Sequence, residues 1–562
     1  MCGIAGIVDL AGRSVEPEVL DRACDTMRHR GPDDSGTWCD TQSSMCIGLA
    51  ATRLAVIDPT PGGRQPMTWG DGRFVIVFNG LIYNYRELRE ALIADGATLT
   101  TQSDTEVALA ACAKWGPAAL ERFNGMWALA FYDRRERSGF ISRDRFGIKP
   151  LFWVAHNQRF CFASEMRTLA AMGDWPVELN PAALVHYVRY GYVAHPDTIY
   201  AAVRRLGPAT YLPFDASGIG EPVRYYDVPV RSAGAAVVDP AEAKRQIRRA
   251  LFQSVARRRV ADVPIGAFLS GGLDSSIVVA HLAEVTSGPV KTFSVGYAEH
   301  AAYDETRFAR SVAQRFGTEH HELKVSYDDV IDLLPRMLDH LGEPFFDSSI
   351  LPTAIVAEFA RRHVTVSLSG DGGDELFGGY WRYVAQGWCE RYYRLPRRMR
   401  SWLIEPIMRT VAVSKSSGLG NRVRQFRKLL RAGEGDALAR HIAWSRILAP
   451  EVRDVLRLPD DEGPSPTLGR GGVPGLRCVD GDDAVFDRLL TDTSDCDPAD
   501  PLNRILAFDL QYGLPSDMLH KVDLASMYHS LEVRVPFLDP DVVAVAMSLP
   551  SSMKVGSFGG KT

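Results

Sequence analysis

From residue 263 onward, strand-like and helix-like segments alternate along the chain, and this alternation constrains the fold more than any other feature. The predicted elements are strand 263–269, helix 275–285, strand 290–296, helix 304–316, strand 319–325, helix 327–341 and strand 364–368. Apolar strands joined by helices predict a parallel α/β sheet, because parallel strands need long crossover connections. Residues 385–500 are predicted to be mostly helical, with a loop rich in Gly, Pro and Asp at 459–483.

The first 215 residues have a different pattern. Short strand-like runs at 74–78 and 127–132 are bounded by turn pairs such as Asn79-Gly80, which predicts an α+β domain with much antiparallel sheet. Residues 216–239 have little periodicity and are predicted to be a linker. A helix then begins at Pro240, so the predicted domains are 2–215 and 240–562.

Composition restricts the class of protein. The chain has 562 residues, 46% hydrophobic and 24% charged, with a formal net charge of -5. This length and composition are typical of a multidomain globular protein. The small negative net charge excludes the strongly positive surface that would attract nucleic acid. Its nine cysteines include no CxxC pair, which argues against a zinc site or a disulfide framework and for a reducing compartment. With no apolar run of membrane length and no signal peptide, we expect a cytoplasmic protein that binds small molecules, not nucleic acid or a membrane; a homodimer stays open.

Cys2 is the first candidate for catalysis. If the initiator Met1 is removed, a thiol and a free α-amino group lie on the same residue. An α-amine has a pKa of about 7.7–8.0, so its neutral fraction can act as the base that activates the thiol. A cysteine at this position also occurs by chance, and the rest of the chain must decide.

A candidate phosphate loop follows the first strand of the predicted parallel sheet. The sequence Ser-Gly-Gly-Leu-Asp-Ser at 270–275 connects this apolar strand to a helix. The glycines let backbone N–H groups approach an anion, and the helix N-terminus adds partial positive charge. The loop lacks the Gly-Lys-Ser/Thr of a Walker motif and resembles that of ATP pyrophosphatases, which cleave ATP between the α and β phosphates and transfer AMP.

A second loop, at 369–380, follows the last predicted strand of the sheet. Its three acids lie between glycines, an arrangement that suits a hard divalent cation in contact with phosphate. Both loops follow parallel strands, so they are expected to meet at the carboxyl edge of the sheet. Asp274 and Asp374 are therefore the candidate Mg²⁺ ligands.

Taken together, these features resemble the glutamine-hydrolysing asparagine synthetases over nearly the whole chain. The matching segments of the first domain are 27–33 (MRHRGPD), 53–58 (RLAVID), 78–80 (FNG), 103–106 (SDTE) and 142–151 (SRDRFGIKPL). The resemblance implies a class II glutamine amidotransferase domain, which is an Ntn-type sandwich of antiparallel sheets with helices. It implies that an α/β parallel-sheet ATP-pyrophosphatase domain with a helical extension follows. A further matching run at 526–539 is equally well explained as a packing element.

For the first domain, the resemblance implies that Cys2 attacks the side-chain amide of glutamine. Asn79 and the backbone N–H of Gly80 would form the oxyanion hole. Arg53 would pair with the glutamine α-carboxylate, and Asp104 would hold the α-amino group. The expected glutamine-binding residues are Arg53, Ile57, Asn79, Gly80, Leu81 and Asp104.

For the second domain, the resemblance implies that Asp274 and Asp374 bind Mg²⁺-pyrophosphate. Asp371 would assist the attack of ammonia on an acyl-adenylate, provided that it stays ionised. Lys561 would contact the phosphates and the developing negative charge. The expected ATP-binding residues are Leu269, Ser270, Gly271, Gly272, Asp274, Ser275, Val295, Ser369 and Gly370.

Two departures from the family pattern bear on activity. The family has Asn-Gly-Glu where this chain has Leu81 after Gly80, so one of two carboxylates expected to anchor the substrate amine is absent. We expect weaker glutamine binding as a result. The family also continues for several tens of residues past Lys561. We therefore expect a domain truncated at its C-terminus, in which Lys561 lacks the helix that fixes it.

The predicted function is ATP-dependent amidation of a carboxylate through an acyl-AMP, with ammonia released from glutamine at Cys2 and passed through the protein. Aspartate is the default acceptor, giving asparagine, AMP and PPi. A different acceptor, such as a cell-wall or secondary-metabolite carboxylate, stays open. Ring closure, as in β-lactam synthetases, is disfavoured because those relatives lack the N-terminal nucleophile. An inactive or regulatory homologue is the non-enzyme alternative, suggested by Leu81 and the short C-terminus.

Overall fold

A computed structural model describes residues 2–41, 45–173, 175–231, 238–297, 304–393, 395–400, 402, 436–447, 500–556 and 561. The loop predicted at 459–483 and much of the helical region predicted at 385–500 lie outside the described residues. Within the described ranges, no helix is long and apolar enough to cross a membrane.

The first domain is built on two antiparallel sheets. Its strands are β1 (Gly3–Asp9), β2 (Asp34–Asp40), β3 (Cys46–Arg53), β4 (Met67–Trp69), β5 (Phe74–Ile82), β6 (Gly125–Asp133), β7 (Ser138–Arg143), β8 (Phe152–His156), β9 (Arg159–Ala163), β10 (Val203–Arg205), β11 (Thr210–Asp215), β12 (Gly218–Ile219) and β13 (Val223–Arg224). One sheet has the order β10-β8-β9-β1-β3-β2, and the other has the order β12-β11-β7-β6-β5-β4. Apolar side chains from both sheets, including Ile4, Val77 and Phe162, form the layer between them.

Six helices are described in this domain. They are α1 (Pro17–Thr26), α2 (Tyr85–Ala94), α3 (Asp104–Trp115), α4 (Ala119–Arg122), α5 (Met166–Met172) and α6 (Pro181–Tyr190), with 3₁₀ turns at Pro61–Gly63 and Gly116–Ala118. α1 and α5 pack with the first sheet, whereas α3 packs against β5 of the second. The predicted α+β sandwich of antiparallel sheets is therefore confirmed.

The predicted linker is shorter in the structure. β12 and β13 both pair with β11, so residues 218–224 extend the second sheet instead of connecting domains. The turn before β12 is fixed by the Asp215 carboxylate, which accepts a hydrogen bond from the backbone N–H of Ser217 at 2.7 Å. Short strands of two residues leave little periodicity in the sequence, which explains why this segment was predicted to be a linker.

The second domain contains the predicted parallel sheet. Its strands are β14 (Ile265–Phe268), β15 (Lys291–Tyr297), β16 (Glu319–Val325), β17 (Val366–Leu368) and β18 (Glu532–Arg534). All neighbouring strands are parallel, in the order β16-β15-β14-β17-β18. The order reverses between β14 and β17, which is the position where open α/β sheets bind ligands.

The helices of this domain are α7 (Pro240–Arg258), α8 (Leu273–Val285), α9 (Thr306–Phe316), α10 (Tyr327–Leu341), α11 (Ile350–Arg361), α12 (Gly373–Phe377), α13 (Trp381–Tyr393), α14 (Arg397–Met399), α15 (Ala437–Ser445), α16 (Pro501–Phe508), α17 (Leu514–Ser516), α18 (Met518–Met527) and α19 (Pro540–Ser548). A π-helical turn at Asp509–Gly513 and 3₁₀ turns at Pro536–Leu538 and Ser551–Met553 complete the described elements. The Asp239 side chain caps α7 as predicted. α8 begins two residues earlier than predicted, so Asp274 lies in its first turn.

A buried ion-pair cluster joins the two domains. The Asp523 carboxylate, on α18, accepts hydrogen bonds from Arg30 at 2.8 Å and from Lys149 at 3.0 Å, and both cations belong to the first domain. At most 2% of each of the three side chains is exposed to solvent. Arg30 also donates to the backbone carbonyl of Cys2 at 3.2 Å, so this cluster links the domain interface to the candidate nucleophile.

Replacing Asp523 by alanine should lower the free energy of unfolding by about 3–5 kcal/mol, because Arg30 and Lys149 stay buried and lose the carboxylate that they share. Chemical denaturation followed by circular dichroism would measure the change. Asp541→Ala is the matched control, because Asp541 pairs with Arg257 at 2.6 Å but its side chain is 56% exposed. We expect the control to cost at most about 1 kcal/mol. Equal, small losses in both variants would contradict a stabilising interface cluster.

Candidate active sites

The first site forms around Cys2, immediately before β1. The backbone N–H of Cys2 donates to Asn79 Oδ1 at 3.1 Å, and Gln65 Nε2 lies 3.9 Å from the Cys2 sulfur. Burial raises the pKa of the Cys2 thiol above its usual value. A buried, protonated thiol needs a neighbouring base before it can attack a substrate, and the α-amine of the same residue would be the nearest one.

Asn79 and Gly80 lie side by side on β5, opposite Cys2. Asn79 is fully buried, and its Nδ2 has no hydrogen-bond partner among the described residues. A buried amide N–H without a partner costs about 1–3 kcal/mol, so this donor suits a ligand oxygen. A Cβ atom on Gly80 would lie 2.1 Å from the backbone oxygen of Met126, so only glycine fits where β5 approaches β6.

Arg53 is held at the end of β3 by backbone carbonyl groups. Its guanidinium donates to the carbonyl of Thr60 at 3.0 Å, to that of Ile57 at 3.2 Å and to that of Asp58. A Cβ atom at Gly63 would lie 1.9 Å from the guanidinium, so a glycine is needed there. This packing fixes the orientation of the guanidinium group that lines this pocket.

Asp104 is the first residue of α3 and accepts a hydrogen bond from the backbone N–H of Ile82 at 3.1 Å. Burial raises the pKa of Asp104 to about 7, and the nearby Glu532 carboxylate adds to this shift. Glu532 comes from β18 of the second domain and is paired with Arg534 at 2.6 Å. Sequence analysis did not identify Glu532 as a site residue, although it lies within the run at 526–539.

These residues enclose one small pocket. Its described lining comprises Cys2, Arg53, Leu54, Val56, Ile57, Gln65, Phe78, Gly80, Leu81, Ser103, Asp104, Thr105 and Glu532. The structure therefore brings together the predicted glutamine-binding residues around this pocket. Asn79 is not part of the described lining, but it is hydrogen-bonded to Cys2, which is. Gln65 was missed because nothing in its local sequence distinguishes it.

The second site lies in the second domain between the loops that follow β14 and β17. A cavity of about 740 Å³ separates these loops. The predicted residues that line it are Leu269, Ser270, Gly272, Asp274, Ser275, Val295, Ser369, Gly370, Asp371, Asp374 and Lys561. Gly271 is not among the lining residues. Its φ is 80°, and a Cβ atom there would lie 2.5 Å from Phe308, so α9 and the turn itself require this glycine.

Lys561 lies between the two acidic loops. Its Nζ pairs with Asp374 at 2.8 Å and with Asp274, and a backbone bridge joins Lys561 to Val555. The structure therefore gives Lys561 a defined position, which the sequence analysis did not expect. Burial raises the pKa of Asp274, an effect that Lys561 opposes and the carboxylates of Asp374 and Asp371 increase.

The donor set at this position fits Mg²⁺. Two carboxylates, of Asp274 and Asp374, pair with one ammonium group, and the charge of Asp371 also acts on Asp274. This leaves excess negative charge, and carboxylate oxygens are the ligands that Mg²⁺ prefers. Two glycines make the approach of the acids possible, because a Cβ atom on Gly373 would lie 2.7 Å from the Asp274 carboxyl carbon and one on Gly379 would lie 1.7 Å from Asp374 Oδ1.

Residues that sequence analysis did not select also line this cavity, among them Glu375, Tyr380 and Lys521. The Tyr380 hydroxyl donates to Glu375 Oε1 at 2.8 Å, and Lys521 Nζ donates to Ser349 at 2.8 Å. Glu375 and Tyr380 lie within the acidic loop at 369–380, which the sequence analysis predicted to bind a divalent cation. Lys521 lies on α18, for which the sequence analysis made no such prediction.

An antiparallel sandwich with a buried cysteine at position 2, followed by a parallel sheet with a glycine-rich loop at its carboxyl edge, is the arrangement of a two-domain amidotransferase. A family model described as a glutamine amidotransferase domain matches residues 1–226, and one described as asparagine synthase matches residues 246–562. The chain therefore belongs to the asparagine synthase family.

Relatives match over nearly the whole chain. A putative asparagine synthetase [glutamine-hydrolyzing] of Mycobacterium tuberculosis is 36% identical, over 99% of this chain and 83% of that protein. Asparagine synthetase [glutamine-hydrolyzing] 1 of Bacillus subtilis is 32% identical, over 99% of this chain and 82% of that protein. Among solved structures, the allosteric regulatory enzyme of purine biosynthesis is 14% identical and matches 57% of this chain and 80% of that chain, with a TM-score of 0.32 that is too low to bear on this chain.

Proposed function

We propose that the chain hydrolyses glutamine at Cys2 and uses the ammonia to convert an acyl-AMP, by default β-aspartyl-AMP, into an amide. The products are glutamate, asparagine, AMP and PPi. The observation that carries this proposal is the buried Asn79 amide, which bonds the Cys2 backbone through Oδ1 and keeps Nδ2 without a described partner.

In the first site, the α-amine of Cys2 takes the proton from the thiol, and the sulfur attacks the amide carbon of glutamine. The oxygen of the tetrahedral intermediate becomes negative and would be bound by Asn79 Nδ2 and the backbone N–H of Gly80. The C–N bond then breaks, and the protonated amine returns its proton to the leaving ammonia. Water hydrolyses the remaining thioester to glutamate and frees the sulfur.

In the second site, a carboxylate oxygen of the acceptor attacks the α-phosphorus of ATP, and pyrophosphate leaves. Lys561, which pairs with Asp274 and Asp374, would bind the phosphate oxygens, and the two acids would hold Mg²⁺. When bound, this ion neutralises charge on the departing pyrophosphate. Ammonia then attacks the acyl carbon and AMP leaves. Asp371, whose carboxylate accepts a hydrogen bond from Ser369 at 2.6 Å, would accept the proton.

We propose that ammonia passes between the sites inside the protein. Glu532 supports this route, because it lines the glutamine pocket while its strand, β18, pairs with β17, which leads into the acidic loop. Two neighbouring strands of one sheet thus lead to the two sites, β18 to the glutamine pocket and β17 to the acidic loop.

The test is to supply glutamine, ATP, Mg²⁺ and aspartate and to measure glutamate, AMP, PPi and asparagine. All four products are expected. Formation of glutamate without AMP would show that only the first domain is active. If AMP forms only when another acid is supplied, that acid and not aspartate is the acceptor.

Leu81→Glu should raise glutaminase kcat/KM by about ten- to a hundredfold, since a charge-assisted hydrogen bond contributes roughly 1.5–3 kcal/mol. Leu81 is 3% exposed and lines the glutamine pocket beside Asp104. Glutamate release at varied glutamine concentrations gives the values. Leu81→Gln is the matched control, because it has the same length without the charge. An unchanged kcat/KM in Leu81→Glu would contradict the prediction that a second carboxylate strengthens glutamine binding.

Glutaminase kcat/KM should fall as the pH drops below about 7. The pKa of Asp104 is raised to about 7, so its carboxylate form, which binds an ammonium group, is present above this pH and is lost below it. The α-amine of Cys2 also gains a proton in this range. We therefore expect a slope of about two in log kcat/KM for the wild type and about one for Asp104→Asn. Identical slopes would show that Asp104 does not titrate in the free enzyme.

A further inference from the structure

Asp58 contacts the segment that orients Arg53, although it is not among the described residues that line the glutamine pocket. It is buried, and its backbone is left-handed, with a φ of 49°. Its carbonyl accepts a hydrogen bond from the Arg53 guanidinium. Aspartate and asparagine adopt a left-handed backbone more readily than most residues, so residue type and conformation agree at this turn. The turn at Asp58 therefore helps to orient Arg53.

The Asp58 carboxylate joins this turn to the segment that leads to Asp104. Its Oδ1 accepts from the backbone N–H of Thr60 at 3.3 Å and from the Thr60 hydroxyl, and the Thr60 carbonyl accepts from Arg53 at 3.0 Å. Its Oδ2 accepts from the backbone N–H of Gln102 at 2.9 Å. Burial opposes ionisation of this carboxylate, but the hydrogen bonds from Thr60 and Gln102 outweigh it and lower the pKa of Asp58. One ionised side chain thus holds both segments.

The segment around Gln102 passes this constraint on to Asp104. The Glu106 carboxylate accepts from the backbone N–H of Thr101 at 2.8 Å, and the Ser103 side chain caps α3, in which Asp104 is the first residue. These bonds leave little freedom between Gln102 and the first turn of α3. A displacement of Gln102 would therefore also move Asp104.

The second domain holds the turn at Asp58 at two points. The Asp262 carboxylate accepts from the backbone N–H of Asp58 at 2.9 Å, and the backbone N–H of Asp262 donates to the carbonyl of Val56, also at 2.9 Å. Val56 lines the glutamine pocket. Asp262, which precedes β14, therefore braces the segment that orients Arg53.

Glutamine carries its α-carboxylate and α-amine on one carbon atom, so two protein groups can bind both only at a fixed separation. We infer that Asp58 is a positioning residue that sets this separation, because it holds Arg53 for the carboxylate and Asp104 for the amine, and that Asp262 keeps Asp58 in place. The inference rests on the proposed hydrolysis of glutamine. It makes Asp58 responsible for the preference for an α-amino acid over an amide that lacks one of the two groups.

Ammonia release from L-glutamine and from glutaramate tests this inference in the full chain. Glutaramate has the same carboxylate and carboxamide but no amine, so only glutamine benefits from the separation of Arg53 and Asp104. Assays at about pH 8 keep Asp104 ionised, because burial raises its pKa to about 7. In Asp58→Asn, we expect the ratio of kcat/KM for glutamine to that for glutaramate to fall about tenfold, which corresponds to the loss of one charge-assisted contact.

Asparagine suits this test, because it keeps the size of the side chain, tolerates the left-handed backbone and replaces one acceptor oxygen by an amide donor. Asp71→Asn is the matched control, since Asp71 is an exposed aspartate of the same domain with a φ of 54°. It should keep the wild-type ratio. The ratio is measured within one variant, so poor folding, which lowers both rates equally, does not change it. An unchanged ratio in Asp58→Asn would overturn the inference and leave the proposed function intact, whereas absence of glutaminase activity in the wild type would overturn both.

Asp262→Ala provides the second measurement, because Asp262 is exposed and belongs to the other domain. We expect the ratio to fall in the same direction by about threefold, the contribution of one hydrogen bond. Asp332→Ala is the matched control, an exposed acid on α10 of the same domain, and should keep the wild-type ratio. An unchanged ratio in Asp262→Ala would overturn the role assigned to Asp262.

Discussion

Cys2→Ala is expected to lower glutamine-dependent amide formation by at least about a thousandfold, while synthesis from added ammonium chloride continues at the wild-type rate. Alanine removes the sulfur that attacks glutamine but keeps the backbone N–H that bonds Asn79. The second site has its own cavity, formed by residues of the second domain, and ammonia can reach it from solvent. Asparagine formation with each nitrogen source would measure both activities in one preparation.

The control for this prediction is Cys39→Ala, which removes an exposed thiol from β2 of the same domain. Both activities should survive in the control. Loss of ammonia-dependent synthesis in Cys2→Ala would show that the two sites are not separable, and retention of glutamine-dependent synthesis would exclude Cys2 as the nucleophile.

Asp274→Asn is expected to lower ATP-dependent AMP formation by at least about a hundredfold and to spare glutaminase activity. Asp274 lies in the first turn of α8, pairs with Lys561 and lies beside two further acids. Asparagine keeps the size of the side chain but removes the charge that would hold Mg²⁺ against pyrophosphate. AMP release and glutamate release, assayed in parallel, separate the two effects.

Asp332→Asn is the matched control for this variant, because Asp332 is an exposed acid on α10 of the same domain. It should leave AMP formation unchanged. Full AMP formation in Asp274→Asn would show that Asp274 is not needed for phosphate binding. A parallel loss of glutaminase activity would show that the substitution impairs folding.

Much of the second domain follows from local sequence. Apolar strands separated by helices specify a parallel sheet, and the loops at 270–275 and 369–374 identify its carboxyl edge before any coordinates are known. The β18 strand was not predicted, because three residues carry no periodicity. Its position next to β17 depends on pairing between segments more than 150 residues apart.

The residues that complete the sites come from distant parts of the chain. Glu532 enters the glutamine pocket from the second domain, and Lys521 reaches the nucleotide cavity from α18. Neither position has a local pattern that distinguishes it from an ordinary charged residue on a helix or strand. Glu532 reaches its pocket only because the two domains pack together, with Asp523 at their interface. Lys521 reaches its cavity through the packing of α18 within the second domain.

The sequence by itself predicted the two chemistries of this protein, because a candidate nucleophile at position 2 and a glycine-rich loop between strand and helix depend on neighbouring residues and local backbone geometry. Only the tertiary structure decided how the sites are completed. It placed the Asn79 Nδ2 group, which has no partner among the described residues, beside Cys2, and Lys561 between Asp274 and Asp374. These features arise from burial and from contacts between distant segments, and such contacts leave no periodic signal in the chain.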